Sequence, residues 1–236
     1  MSESTLQIGL IAPEVLGTYG DGGNACVLTQ RAKRRGIDAD IIEIPLFEAI
    51  PEYLDIYTLG GGEDTAQSLA AQHMQRHRGL IRAVTQGRPV LAICASLQVL
   101  GRKYTDAEGR TVEGLGLLDV ETEPMGHRAI GELVSDPLIE GLSQPLTGFE
   151  NHGGATTLGE DASPLGQVVV GCGNDGKSGL EGVVQGSVIA TYMHGPVLAR
   201  NPELADLLLS RALGCELEPL PMPSVDRLRS ERLSIS

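Results

Sequence analysis

Cys94 stands where a short apolar run gives way to a segment with helical periodicity. Residues 89–94 predict a buried strand of about five residues, and residues 95–100 predict an amphipathic helix. A cysteine in such a strand-to-helix turn has the arrangement of a nucleophile elbow, with an exposed thiol whose pKa the helix N-terminus lowers. A buried structural cysteine is the alternative interpretation, because free cysteines are among the most buried residues.

A histidine ends a second β-rich run. Residues 187–193 predict a strand, and His194 follows it directly, with the chain-breaking Gly195-Pro196 behind. A histidine at a strand end is well placed to act as a general base. Cys94 and His194 lie one hundred positions apart, so only the fold can bring them together. A hydrogen-bonded structural histidine is the alternative.

A glycine run, Gly60-Gly61-Gly62, follows the predicted strand 55–59. It could supply backbone N–H groups to a developing oxyanion, or it could be a plain tight turn. A phosphate cradle is disfavoured, because neither the P-loop nor the dinucleotide-binding glycine spacing is present. The glycines of a second loop, residues 19–24, predict a turn before a helix.

Strands and helices alternate through the first hundred residues, which predicts a three-layer α/β fold with a mostly parallel central sheet and helices on both faces. Sites in such sheets lie at the carboxyl ends of the strands, where the glycine run, Cys94 and His194 all fall. The predicted strands are 6–12, 37–44, 55–59 and 89–94, and the predicted helices are 24–35, 66–76, 80–85 and 95–100.

The later chain is richer in short strands and turns. We assign residues 1–214 to one domain and residues 215–236 to a loosely held, polar tail with three early prolines. The predicted later elements are strands 117–123, 128–133, 147–150, 167–170, 181–184 and 187–193, and a helix over 201–213.

Composition excludes several classes of function. The formal net charge of −13 and the 3% aromatic content disfavour nucleic acid and anionic membranes as direct partners. No run has the length and apolarity of a membrane span, and the first residues lack the features of a leader. The four scattered cysteines without CxxC spacing predict reduced thiols, a cytoplasmic location and no metal site.

Five motifs occur in the order that is typical of one family. The motifs are Tyr19-Gly20-Asp21 with Asn24, Gly60-Gly61-Gly62-Glu63-Asp64, Ala92-Ile93-Cys94 with Gln98, Gly148-Phe149-Glu150-Asn151-His152, and Tyr192-Met193-His194-Gly195-Pro196. Together they resemble the class I glutamine amidotransferases. The closest resemblance is to the cobyric-acid-synthase-like branch, which includes the glutaminase subunits of lipid II isoglutaminyl synthases. The resemblance implies a flavodoxin-like sheet and spans about residues 6 to 200.

The resemblance implies a role for each of these site residues. Cys94 attacks the carboxamide of glutamine, and His194 protonates the leaving ammonia and then activates water. The backbone N–H groups of Gly61 and Ala95 hold the oxyanion. Family elbows usually carry glycine after the cysteine, whereas this chain has Ala95, which is small and keeps the backbone donor.

Arg128 matches a family arginine that holds the glutamine substrate, and its guanidinium suits an α-carboxylate. Gln98 matches a substrate neighbour. From the residues alone, Arg128 could be an exposed charge and Gln98 could be plain packing one turn past the cysteine. His152 is a rival base, although its turn-like setting favours a structural role.

The resemblance also implies a partner. A MurT-type, Mur-ligase-like synthetase subunit would form a heterodimer with this chain, hold ATP and Mg²⁺, and use the ammonia to amidate D-glutamate of lipid II. This chain itself needs no cofactor. The alternatives are amidation of cobyrinate or cobyrate, a catalytically inactive regulatory subunit, and a cysteine peptidase of similar architecture. The peptidase is disfavoured because such enzymes usually have a histidine beside the cysteine, whereas Ala95 follows Cys94 in this chain.

No carboxylate stands two residues after His194, where many class I members carry one. A base of this kind needs a group that fixes its tautomer. A backbone carbonyl or an acid from the partner could supply that contact, and we expect the partner's acid.

Overall fold

The computed structural model describes residues 5–17, 19–106 and 108–233, and for residues 64–66 it describes only the backbone. Its strands are β1 Leu6–Ile11, β2 Ala39–Ile44, β3 Ile56–Leu59, β4 Val90–Ile93, β5 Lys103–Thr105, β6 Thr111–Glu113, β7 Val120–Pro137, β8 Leu146–Leu158, β9 Gly166–Val170, β10 Leu180–Glu181, β11 Val183–Gln185 and β12 Val188–Thr191. Its helices are α1 Gly23–Lys33, α2 Asp64–His77, α3 Gly79–Thr85, α4 Ala95–Leu100, α5 Val197–Arg200, α6 Pro202–Leu213 and α7 Pro223–Leu233.

The first sheet has the order β11-β12-β4-β3-β1-β2, and only the edge strand β11 runs antiparallel to its neighbour. Every residue of the central strands β3, β4 and β12 is buried. Continuous apolar runs suit a parallel sheet that is covered on both faces, and each buried side chain contributes about 1.5–3 kcal/mol. The predicted parallel sheet is therefore confirmed, and its carboxyl edge gathers the ends of β1, β3, β4 and β12.

The helices form two packed groups that cover this sheet. One group comprises α1, α5 and α6, and the other comprises α2, α3 and α4. The predicted three-layer fold class is confirmed. No helix in the described part of the chain is both long and apolar enough to cross a membrane.

A second sheet, which the sequence analysis did not separate from the first, has the order β10-β9-β7-β5-β6, with β8 paired to β7. The segments predicted as strands 117–123 and 128–133 largely belong to one long strand, β7, which is irregular between Pro124 and Ala129. Residues 123–124 and 126–128 are exposed, so apolar alternation is interrupted there. This interruption explains why one strand gave the pattern of two.

The basic end of α1 is fixed within the chain. Arg31 donates two hydrogen bonds to the Asp206 carboxylate on α6, at 2.7 and 2.6 Å, and Arg35 donates a third at 2.8 Å. A bidentate arginine pair of this kind is geometrically specific. It joins α1 to α6 across 175 positions of sequence.

The tail predicted to be loosely held contains the helix α7. None of its residues is buried, as its polar composition predicts. Arg229 nevertheless donates hydrogen bonds to the carbonyl oxygens of Arg200, at 2.6 Å, and Pro145. Arg229 thus attaches the helix to the domain, while the boundary at residue 214 stays a prediction.

Glu181 of β10 is fully buried beside β12. Its Oε1 accepts hydrogen bonds from Thr191 Oγ1 and from the Tyr192 backbone N–H, whereas Oε2 has no hydrogen-bond partner among the described residues. Burial raises the pKa of Glu181 from 4.5 to about 7. The folded state therefore binds the Glu181 proton more tightly than the unfolded state does.

We expect this carboxyl group to make stability depend on pH. Between pH 4.5 and 7 the folded state holds more protons, so the free energy of unfolding falls as the pH rises through that window. Glu181→Gln removes the titrating group and therefore its contribution to the pH dependence. The free energy of unfolding of the variant minus that of the native chain should be about 2–3 kcal/mol larger at pH 8 than at pH 5. Urea unfolding at both pH values measures this, and equal pH dependence of the two proteins would contradict it.

Candidate active site

Cys94 forms the predicted bend between β4 and α4. Its backbone angles are φ 52° and ψ −107°, an uncommon conformation for a residue with a side chain. The bend is held by the Cys94 N–H, which donates to the Thr191 carbonyl at 2.8 Å, and by the Leu97 N–H, which donates to the Cys94 carbonyl at 2.9 Å. The predicted elbow at a strand end is confirmed, because β4 ends at Ile93 and α4 begins at Ala95.

The expectation of an exposed thiol with a lowered pKa is wrong. Cys94 is only 7% exposed. Burial raises the pKa of its thiol to about 12, and the negative charge of Asp21 adds to the increase. The Ala95 backbone N–H and the charge of Arg128 lower the pKa, but a six-residue helix does not compensate for burial. The thiol is therefore protonated at neutral pH and needs a base to become nucleophilic.

His194 faces Cys94 across the glycine loop. A Cβ placed on Gly61 would lie 2.8 Å from Cε1 of His194 and 3.4 Å from Cβ of Cys94, so both side chains border this glycine. The His194 backbone exchanges two hydrogen bonds with Phe149 of β8, at 2.8 and 3.1 Å. The structure thus brings together the two residues that the sequence analysis singled out, and the second sheet holds one of them in place.

An acid within this chain contacts His194, which corrects the expectation that the partner supplies it. Asp21 is buried, and its Oδ2 lies 3.0 Å from Nδ1 of His194. With the proton on Nδ1, the ring donates to Asp21, and Nε2, which has no partner among the described residues, is left as the base. The sequence analysis treated the loop after β1 as a turn. The signal was the loop's position at the same carboxyl edge as the cysteine and histidine.

Gly61 does not fit its predicted role as an oxyanion donor. Its backbone N–H donates to Oδ2 of Asp21 at 2.9 Å, so this donor is already in use. The glycine instead keeps the space between His194 and Cys94 free of a side chain. The Ala95 backbone N–H lowers the pKa of the Cys94 thiol, which agrees with its predicted position beside the reacting atoms. The oxyanion role of Ala95 stays a prediction.

Arg128 lies at the exposed mouth of the site. Its Nε donates to Oδ1 of Asn151 at 2.6 Å, and its Nη2 donates to the hydroxyl of Tyr19 at 3.4 Å. The Tyr19 ring lies against the His194 ring, with 4.7 Å between centroids. Two of the five guanidinium N–H donors are used within the described residues, so donors remain for a substrate carboxylate. The sequence analysis gave neither Tyr19 nor Asn151 a place at the mouth.

Gln98 is tied into the interior of the chain. Its Oε1 accepts from Nε2 of Gln67 at 2.8 Å, and its Nε2 donates to the Tyr192 hydroxyl at 3.2 Å. One amide N–H is left for another partner. The packing alternative accounts for these contacts, and a direct contact between Gln98 and substrate stays a prediction.

His152 has a structural setting of its own. Its ring stacks on Tyr192 at 3.7 Å between centroids, and its Nδ1 donates to the Gly154 carbonyl at 2.9 Å. The neighbouring Glu150 accepts hydrogen bonds from the backbone N–H groups of Cys172 and Gly173 at 2.7 and 3.0 Å. These contacts give His152 a structural role. His194, which borders Gly61 with Cys94 and contacts Asp21, is therefore favoured as the base.

A thiol, an imidazole with a free Nε2, and a buried carboxylate on the far ring nitrogen together form the arrangement that acyl transfer through a thioester requires. An arginine-lined mouth suits a substrate that carries a carboxylate. The described residues contain no group of three or more His, Cys, Asp or Glu side chains placed to hold a metal ion.

Comparison with known proteins gives one family and close relatives. The model of the CobB/CobQ-like glutamine amidotransferase domain matches residues 7–202. The lipid II isoglutaminyl synthase (glutamine-hydrolyzing) subunit GatD of Staphylococcus aureus strain N315 is 39% identical over 208 residues, which cover 87% of this chain and 83% of that protein. The GatD subunit of Streptococcus pneumoniae strain R6 is 34% identical over 233 residues, which cover 97% of this chain and 89% of that protein.

Solved structures give the same fold. A crystal structure of a glutamine amidotransferase aligns with a TM-score of 0.57 and 20% sequence identity, covering 87% of this chain and 98% of that one. At this identity the likeness shows the fold alone.

Proposed function

This chain belongs to the CobB/CobQ-like glutamine amidotransferase family, and on that premise we propose that Cys94, His194 and Asp21 hydrolyse L-glutamine to glutamate and ammonia. The observation that carries the assignment of residues is their convergence around Gly61 at the carboxyl edge of the parallel sheet. Cys94 and His194 face each other there, and the acid lies on the opposite side of the imidazole.

The first half of the reaction forms a thioester. As the Cys94 sulfur attacks the side-chain carbonyl carbon of glutamine, its proton passes to Nε2 of His194. The Ala95 N–H donates to the oxyanion, a contact worth about 3 kcal/mol. The C–N bond then breaks, and His194 returns the proton to the leaving ammonia. Because burial raises the pKa of the thiol, Cys94 needs His194 to accept its proton for the sulfur to attack.

The second half regenerates the thiol. Nε2 of His194 accepts a proton from water, whose oxygen attacks the thioester carbonyl. The C–S bond breaks, the sulfur takes the proton back from His194, and glutamate leaves. Asp21 keeps the Nδ1 proton in place through both halves and stabilises the transient imidazolium.

The ammonia, in this proposal, goes to a MurT-type, Mur-ligase-like synthetase subunit that binds ATP and Mg²⁺ and amidates D-glutamate of lipid II. Support comes from the two relatives named as GatD subunits, of which this chain covers 83% and 89%. This chain and that synthetase would form a heterodimer. The four cysteines, all free, accord with a reducing, cytoplasmic location.

The extent of the matches favours lipid II over cobyrinate or cobyrate. The probable cobyric acid synthase of Methanothermobacter thermautotrophicus is 34% identical over 154 residues, which are 60% of this chain, whereas the matches to the two GatD subunits cover 87% and 97% of it. An inactive regulatory subunit is also disfavoured, because that role does not require a histidine held by a buried carboxylate beside the cysteine.

We expect the chain and its synthetase together to release glutamate from L-glutamine and, with ATP, to transfer the amide nitrogen to lipid II. Glutamine labelled with ¹⁵N in the amide group and mass spectrometry of lipid II follow that transfer. The synthetase alone should amidate lipid II with ammonium chloride but not with glutamine. Glutamine-dependent amidation without this chain, or no glutamate release by the complex, would contradict the proposal.

A further inference from the structure

The Tyr19 hydroxyl joins two oppositely charged side chains at the mouth of the site. It accepts hydrogen bonds from Nη2 of Arg128 at 3.4 Å and from Nδ2 of Asn151 at 3.2 Å, and it donates to Oε1 of Glu63 at 3.5 Å. The two distances to Arg128 and Glu63 keep these charged groups within about 7 Å of each other. A cation and an anion therefore flank one small region of the surface.

The Glu63 carboxylate has no other task in the described structure. Glu63 is the residue that precedes α2, yet its side chain makes no capping hydrogen bond to that helix. Its side chain is exposed, and the 3.5 Å contact with Tyr19 is its one hydrogen bond within the described residues. Three elements converge to place it there: the loop after β1, the loop after β3, and β7.

This charged pair lies one aromatic ring away from the base. The Tyr19 ring packs against His194 while its hydroxyl reaches the pair, so a ligand held between Arg128 and Glu63 extends towards His194 along that ring. The charges of both Arg128 and Glu63 also act on the pKa of Cys94, in opposite directions. Glutamine has its α-carboxylate and α-ammonium groups on one carbon, with the reactive carboxamide two methylene groups away.

We propose that Glu63 holds the α-ammonium group of the substrate while Arg128 holds its α-carboxylate, with Tyr19 and Asn151 positioning the two. This inference rests on the proposed glutaminase function and specifies the substrate class as a free L-amino acid with both α groups charged. Glu63 replaces its 3.5 Å contact with Tyr19 by a charge-assisted contact with the ammonium group. The pair therefore favours L-glutamine over carboxamides that lack the amine.

The test compares Glu63→Gln with the native chain on two substrates, in the complex with the synthetase. L-glutamine has the α-amino group, and glutaramic acid is the same molecule without it. Ammonia release is measured for both. We expect Glu63→Gln to raise the KM for L-glutamine about 10- to 100-fold, with kcat nearly unchanged and with little change on glutaramic acid. Equal losses on both substrates, or no change on glutamine, would overturn the assignment.

Two further measurements separate this inference from the proposed function. Glu140→Gln, which removes an exposed carboxylate in the loop between β7 and β8, is the matched control and should leave both KM values unchanged. Calorimetry of L-glutamine binding to Cys94→Ser, with and without Glu63→Gln, needs no turnover. Binding weakened about 10-fold or more by Glu63→Gln, together with no glutamine hydrolysis by the complex that keeps Cys94, would support the clamp and reject the glutaminase. Hydrolysis with binding unaffected by Glu63→Gln would do the reverse.

Discussion

Replacing Cys94 by alanine is expected to lower glutamine hydrolysis about 10⁴-fold or more, because the thiol that attacks the carboxamide beside His194 is lost and the acyl intermediate cannot form. Glutamate release by the complex measures the loss. A glutamine-like diazo-ketone offers a second measurement, because it should alkylate the native protein at Cys94 and leave the variant unlabelled. Retention of a tenth of the native rate would contradict Cys94 as the nucleophile.

Cys26→Ala is the matched control for this prediction. Cys26 is an exposed residue of α1, so its loss should change neither hydrolysis nor labelling. Cys94 is buried, so thermal unfolding of Cys94→Ala must show that the variant remains folded. If Cys94→Ala is folded but inactive and Cys26→Ala is active, the loss of hydrolysis results from the missing Cys94 thiol and not from unfolding.

Asp21→Asn is expected to lower kcat about 10²- to 10⁴-fold with little change in KM. The asparagine oxygen can still accept the Gly61 N–H, but its amide NH₂ cannot accept the proton on Nδ1 of His194. The imidazole then favours the tautomer with its proton on Nε2, which cannot act as a base towards the thiol. The steady-state rate of glutamate release gives kcat and KM, and Asp136→Asn, an exposed position on β7, is the control.

The same variant tests whether the acid comes from this chain or from the partner. The structure places Asp21 at 3.0 Å from His194, so the loss should be similar in the isolated chain and in the complex. If the synthetase supplied the orienting acid, Asp21→Asn would keep nearly native activity in the complex. That result would restore the expectation drawn from the residues after His194.

The parallel sheet and its elbow could be predicted because both depend on local patterns. The strands β1, β3 and β4 are mostly apolar and almost wholly buried, and the turns after them carry glycine, cysteine or small residues. The long antiparallel strand β7 could not be predicted as one element. Its middle is exposed and irregular, so its pairing with β8, and not its own composition, fixes its extent.

The sequence by itself determined which residues could react: the cysteine at a strand-to-helix turn, the histidine at a strand end, and the arginine suited to a carboxylate. Only the tertiary structure decided how they work. Asp21 contacts His194 although 173 positions of sequence separate them, and the Gly61 N–H donates a hydrogen bond to Asp21. Burial raises the pKa of Cys94, although its place before a helix alone would lower it. Contacts between distant segments and the exclusion of water are properties of the packed chain, and no local pattern of residue types encodes them.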